Sequence, residues 1–294
     1  MKKACIALAV LFLVSSLLTV CFGAAVGVRE IRNIAEGNSR FNDWFASLEE
    51  WSEQQWRARH GGHSVGETRT DFSLEADEPV LFSFDYAEVR VLPSEDGSSH
   101  MDVHYYGKDA VDVSTFPFAE RQADGLHLGV RLPNRSYFSR ITVDIYFSSH
   151  KIASLQAHID AGSLTVEGMQ LGKASAALNV GNIAFRNSAA DEAELTADTG
   201  DLTWEDNSEV ASSLSMYTDV GNIRLVWPTD AGFQLQYETD AGEFKNRFEN
   251  AVPVQSGSQF VSSKGTLAFG DRSRAISLST DTGNITLESA SAEG

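Results

Sequence analysis

The chain has only two cysteines, Cys5 and Cys21, and both fall in one apolar stretch near its start. The remainder therefore has no disulfide framework and no Cys-x-x-Cys metal site. Basic residues are scarce: 23 Lys and Arg stand against 41 Asp and Glu, a net charge of −18. Setting Lys2 and Lys3 aside leaves 21 against 41 beyond Val28, or −20. So acidic a surface lacks the basic patch that a nucleic-acid partner requires, and anionic lipid would repel it. The seven histidines form no ligand set. On a strand the rings of His100 and His104 would stand about 13 Å apart, too far to share an ion. Nucleophile-elbow and phosphate-loop motifs are missing too. No catalytic residue, cofactor or metal is expected.

What the chain does have is one short phrase, repeated. It runs Asp160-Ala161-Gly162, Asn179-Val180-Gly181, Asp198-Thr199-Gly200, Asp219-Val220-Gly221, Asp240-Ala241-Gly242 and Asp281-Thr282-Gly283. The glycines are 19, 19, 21, 21 and 41 residues apart, and 41 is close to two periods. The copy expected in that gap is Gly265-Thr266-Leu267-Ala268-Phe269, which lacks the acid. A fixed period near 20 marks a solenoid in which each repeat is one coil.

Five, three and one residues before each acid lie small or apolar residues, as in Leu155, Ala157 and Ile159. Two and four residues after most of the glycines lie others, as in Leu164 and Val166 or Leu202 and Trp204. This alternation is the period of a strand with one buried face. Each coil should thus hold two short strands about a tight turn, with Gly supplying positive φ and the Asx side chain bonding across the bend. The acids Asp160, Asp198, Asp219, Asp240 and Asp281 read as turn residues first. Ion binding and catalysis along the stacked column are the lesser readings, because Asn179 replaces the charge in one coil. The column after the glycines, Ser163, Asn182, Asp201, Asn222, Glu243 and Asn284, suggests partial amide ladders between coils.

Upstream, Lys2 and Lys3 precede 25 uncharged residues from Ala4 to Val28. That run is long enough to cross a hydrocarbon core of roughly 30 Å. An uncleaved anchor (residues 1–28) is preferred over a cleaved signal or lipidation at Cys21. All three place the repeats outside the cytoplasm. Phe41, Trp44, Phe45, Leu48 and Trp51 recur at helical spacing, so 29–70 reads as a short amphipathic helix and linker. Residues 71–290 read as the solenoid, its first coil at Val80–Val91 with Ala87 in the glycine position.

The Lys-Lys apolar run and the phrase (Asp/Asn)-x-Gly-x-(Ile/Leu)-x-apolar, over about Val80 to Leu287, resemble a bacterial family of cell-envelope proteins. Its members carry the name of adhesins with β-strand repeats, and its domain is one of unknown function. The resemblance implies an extracytoplasmic solenoid without established catalysis and carries over no functional residue. The expected fold is all-β: a single parallel β-solenoid behind a transmembrane helix and a short amphipathic helix. The expected function is binding or sensing at the envelope, with a protein or glycan ligand on the solenoid face and no nucleic acid. The alternative is a carbohydrate-active β-helix enzyme acting on an acidic polysaccharide. Self-association is expected at the last coil, because Glu288–Gly294 is too short to cap it.

Overall fold

Alternating apolar residues at a period of two give strands throughout. The computed structural model of the protein describes residues 63–107, 109, 111–134, 137–205, 210–248, 251–258 and 262–290, all within the unit His60–Gly294. The predicted anchor and the aromatic helix lie outside the described residues, and no described helix is long and apolar enough to cross a membrane. The first six strands are β1 (His63–Phe72), β2 (Pro79–Pro93), β3 (Ser99–Gly107), β4 (Pro117–Gln122), β5 (Gly125–Val130) and β6 (Phe138–Phe147). Six more form the regular repeats: β7 (Lys151–Glu167), β8 (Gln170–Arg186), β9 (Ala189–Thr199), β10 (Leu202–Glu205), β11 (Val210–Val220) and β12 (Ile223–Trp227). The last are β13 (Phe233–Ala241), β14 (Phe244–Arg247), β15 (Val252–Ser258), β16 (Ser263–Phe269), β17 (Ala275–Thr282) and β18 (Ile285–Ser289). They join in one 18-stranded, mostly parallel sheet.

The coils lie in register, repeat on repeat. Val80 pairs with Leu155, Leu155 with Ala174, Ala174 with Ala193 and Ala193 with Leu214. The inward positions of the repeats are buried, including Ile159, Leu164, Ile183, Leu195, Leu202 and Trp204. The indole of Trp204 stacks on Phe185 one coil away, 5.1 Å between centroids. Where the inward residue before the acid is threonine, a backbone acceptor is waiting. The buried hydroxyls of Thr218, Thr280 and Thr239 donate to the carbonyls of Gly200, Gly221 and Gly283. A buried hydroxyl is tolerated when it is paired in this way.

Those three bonds reveal an order the repeats do not follow in sequence. β11 pairs on its far side with β17, and β17 then pairs with β13. Likewise β12 pairs with β18, and β18 with β14. The last coil of the chain is wedged between two earlier ones. It is flanked on both sides and offers no open edge, so the expected self-association at the C-terminal coil has no basis there. Gly265–Phe269 is not a coil either: β16 runs antiparallel to β13, and β15 antiparallel to β16. Phe233, Phe248 and Phe269 close that end, with ring centroids 5.0–5.9 Å apart.

The other end is built in the same spirit. β2 is not the outermost coil, because β5 and β6 pair parallel to its two halves on the side away from β7. Antiparallel β4 covers β5, while β3 covers β6 and β1 covers β3. The stretch expected as a linker up to Thr70 is therefore mostly strand β1. Tyr105, Phe116 and Phe138 pack at 5.3–6.0 Å beneath these strands.

Candidate binding face

The predicted turn residues gather into two columns at one bend. The glycines follow the spatial order Gly162, Gly181, Gly200, Gly221, Gly283, Gly242. A Cβ on any of them would overlap the carbonyl oxygen of the neighbour before it, beginning with Ala87 under Gly162. Close backbone approach is thus the main reason for glycine; φ is in the left-handed region at Gly162, Gly181, Gly200 and Gly283. Ala87 is accepted because β6 begins to pair with β2 only at Glu88, so on the side away from Gly162 no strand is paired with it.

Next to the glycines the predicted ladder exists in a different form. Oδ1 of Asn182 accepts the backbone N–H of Asp201, and Oδ1 of Asp201 accepts that of Asn222. Asn222 serves Asn284, and Asn284 serves Glu243, at 3.0 Å each. Each side chain caps a neighbouring backbone donor; among the described residues only Asn222 also bonds side chain to side chain, through its Nδ2 to Asp201.

Asp160, Asn179, Asp198, Asp219, Asp281 and Asp240 form the second column, at the outer edge of the bend. The bonds they draw run along the column and to adjacent rings. Asn179 donates to Asp160, His158 lies 3.2 Å from Asp160, and the Tyr217 hydroxyl donates to Asp281. Bonding to Asp219, with partial desolvation and nearby negative charge, pushes the Tyr217 phenol up to about 12. Among the described residues no group of acids, histidines and cysteines is arranged to hold a metal ion. His100 and His104 are each engaged separately, His100 by Tyr146 and Asp102 and His104 by Glu67.

The outward face of the second strands is charge-paired. Arg186, Glu205, Arg224, Glu288 and Arg247 form a chain of ion pairs across β8, β10, β12, β18 and β14. Toward the other end, the face opens into a groove of about 520 Å³, lined by β3, β6, β2 and β7. Two crossbars span β2 and β6. Arg90 grips Asp144 through Nε at 2.7 Å and through Nη2, and Arg140 donates to Glu88. The hydrogen bond to Asp144 also raises the Arg90 pKa, so the guanidinium stays charged. Thr142, Ser163 and Thr165 make the floor between and beside the crossbars, and His104 and Tyr106 form the end wall. The Arg140 guanidinium sits 5.5 Å from the centre of the Tyr106 ring. Sequence reasoning passed over these residues because the pairing of β2 with β6 is not between successive coils.

The Toastrack DUF4097 family profile matches residues 130–288, more than half of the chain. A comparison with curated proteins returns no match. Among solved structures, a "putative cell adhesion protein" from Clostridium sporogenes is similar at 9% identity and a TM-score of 0.41, over 76% of this chain and 99% of that one. A "putative adhesin" from Bacteroides fragilis is similar at 12% identity and a TM-score of 0.29, covering 76% and 98%. A "putative lipid binding protein" from Parabacteroides distasonis is similar at 8% identity and a TM-score of 0.31, covering 76% and 98%. The in-register parallel coils and the profile that spans them have one reading: the chain belongs to the Toastrack DUF4097 family.

Proposed function

We propose that this protein is a non-catalytic binding module of the cell envelope, held by residues 4–28 in the membrane with its coils on the extracytoplasmic side. The stack serves as a rigid display column, and the ligand lies on the outward face of the second strands. The observation that carries this reading is the groove between the Arg90–Asp144 and Arg140–Glu88 crossbars. Its side chains are fixed by their own pairing before any ligand arrives, so little ordering entropy remains to be lost on binding. The uncharged run after Lys2 and Lys3 supports the anchor and its orientation. The rival enzyme reading would place its carboxylates in the Asp160–Asp240 column, which lies away from the groove.

Three measurements test the reading. A tag after Gly294 should be cut by protease added to intact cells or spheroplasts, and protection of the tag would refute the orientation. The full chain displayed on inert particles should retain envelope polymer, host matrix or a membrane protein, and Thr142→Trp should abolish that retention. Turnover of an acidic polysaccharide that disappears in Asp198→Asn with folding intact would replace this reading with the enzyme.

A further inference from the structure

We infer that the groove takes a neutral, linear polyhydroxylated chain, that is, an uncharged glycan, lying across the strands. The inference rests on the binding reading above and names its ligand. Charge comes first. The chain beyond Val28 is strongly acidic, yet in this groove Arg90 and Arg140 are matched one for one by Asp144 and Glu88. An anionic polymer finds no uncompensated cation here and meets long-range repulsion on approach. A cationic one is drawn instead to the acid column on the other side of the bend.

Hydrogen-bonding capacity agrees with it. Arg90 spends Nε and Nη2 on Asp144, and Arg140 spends Nη2 on Glu88. Nη1 of both guanidiniums, Nε of Arg140 and Oε1 of Glu88 keep capacity that no other described residue takes up. Paired donors and acceptors in a fixed geometry, set beside the hydroxyls of Thr142, Ser163 and Thr165, suit a row of sugar hydroxyls, each both donor and acceptor. The Tyr106 ring at the end wall offers an apolar surface to a sugar face.

Shape points the same way. Thr165 is in register with Ala184, and Ala184 with Thr203. These short side chains continue the floor over β7, β8 and β10, a run of about 10 Å at the spacing of adjacent strands. Arg224 and its ion pairs on β12 end the trough. An open trough of that form accepts an extended chain and does not enclose a single compact molecule.

The test uses the full chain in detergent with laminarihexaose, mannohexaose and chitohexaose as neutral probes and hexagalacturonate as the acidic one. Calorimetry should show binding of at least one neutral probe, and Thr142→Trp and Ser163→Trp should each weaken it about tenfold or more, a loss typical of a filled subsite. Melting curves of both variants should match the wild type, since both positions face outward. Hexagalacturonate should not bind. The inference is overturned if no neutral probe binds, if both variants bind as the wild type does, or if the acidic probe binds best. If Thr142→Trp abolishes retention of envelope material although no sugar binds, the ligand class is wrong and the binding reading stands. If the wild type retains nothing and binds nothing, both fall.

Discussion

The regular coils from β7 to β12 and the strands at the two ends solve different problems with different residues. In the middle, each coil has an identical backbone on either side, so the first strands bury small and medium side chains in register, Ala174, Ala176, Ala193, Leu195 and Ala197, and the second strands stack the rings of Phe185 and Trp204 coil on coil. At the ends there is no next coil, and an unpaired parallel edge would recruit other chains. There the protein turns strands antiparallel and plugs the opening with rings: Tyr105, Phe116 and Phe138 on one side, Phe233, Phe248 and Phe269 on the other. The acids held below their ordinary range divide the same way. Glu78, Asp96, Asp112, Glu120, Asp124 and Asp271 all lie in the end regions, in loops or on cap strands. Repetition stabilises the middle, and irregular chemistry closes what repetition leaves open.

The largest expected effect comes from removing the wedged coil. A chain ending at Arg272 lacks β17 and β18, and so separates β11 from β13. It should lose its cooperative denaturation transition altogether, whereas trimming an ordinary terminal repeat lowers stability by one repeat's share. A residual sharp transition in urea would show that the stack can close without that coil. Next is the glycine column. Gly181→Ala should cost about 4 kcal/mol, because the added carbon meets backbone oxygen in a rigid neighbour and the left-handed φ opposes it as well. Ala87→Gly, at the free end of the same column, should cost about 1 kcal/mol or less. Equal losses at the two sites would break the contrast between middle and end.

These predictions show what the sequence could reveal. The phrase around Gly162, Gly181 and Gly200 exposed the coil length, the two strands per coil and the inward residues, because each is a local pattern of period two or about twenty. It could not reveal which coil lies beside which. The phrases at Asp219, Asp240 and Asp281 are interchangeable at the turn, and neighbour choice depends on packing across tens of residues. The 41-residue interval between Gly242 and Gly283 looked like two periods; it holds one coil's remainder and a hairpin instead. β1 and β15 escaped notice for local reasons, the first having few apolar side chains and the second carrying Pro253. The groove stayed hidden because Glu88 and Arg90 meet Arg140 and Asp144 only through that non-sequential pairing.

Smaller effects are expected at single side chains. Asn222→Ala removes the acceptor of the Asn284 N–H and should cost about 1 kcal/mol in denaturant titration. The end regions should supply the mildest signal, through pH. The hydrogen bond from Arg121 holds Glu78 below the usual carboxylate range. A depressed folded-state pKa stabilises fully above the unfolded value of about 4.3, and the contribution is lost as pH falls through the folded value. The melting temperature of Glu78→Gln should therefore lie below that of the wild type at neutral pH, and the gap should close in acid. A gap that widened on acidification would contradict the assignment.

The wedged coil also separates the order of synthesis from the order in space. Residues Ala275–Ser289 emerge after their neighbours, and their seat lies between partners finished some 30 to 60 residues earlier. Joining β11 to β17 closes a loop about three times longer than that between successive coils, an added entropy cost of only about 1 kcal/mol. The obstacle is therefore timing and not free energy. Growth by simple addition of successive coils must halt at β12, with its edge uncovered, until β17 and β18 leave the ribosome or the export channel.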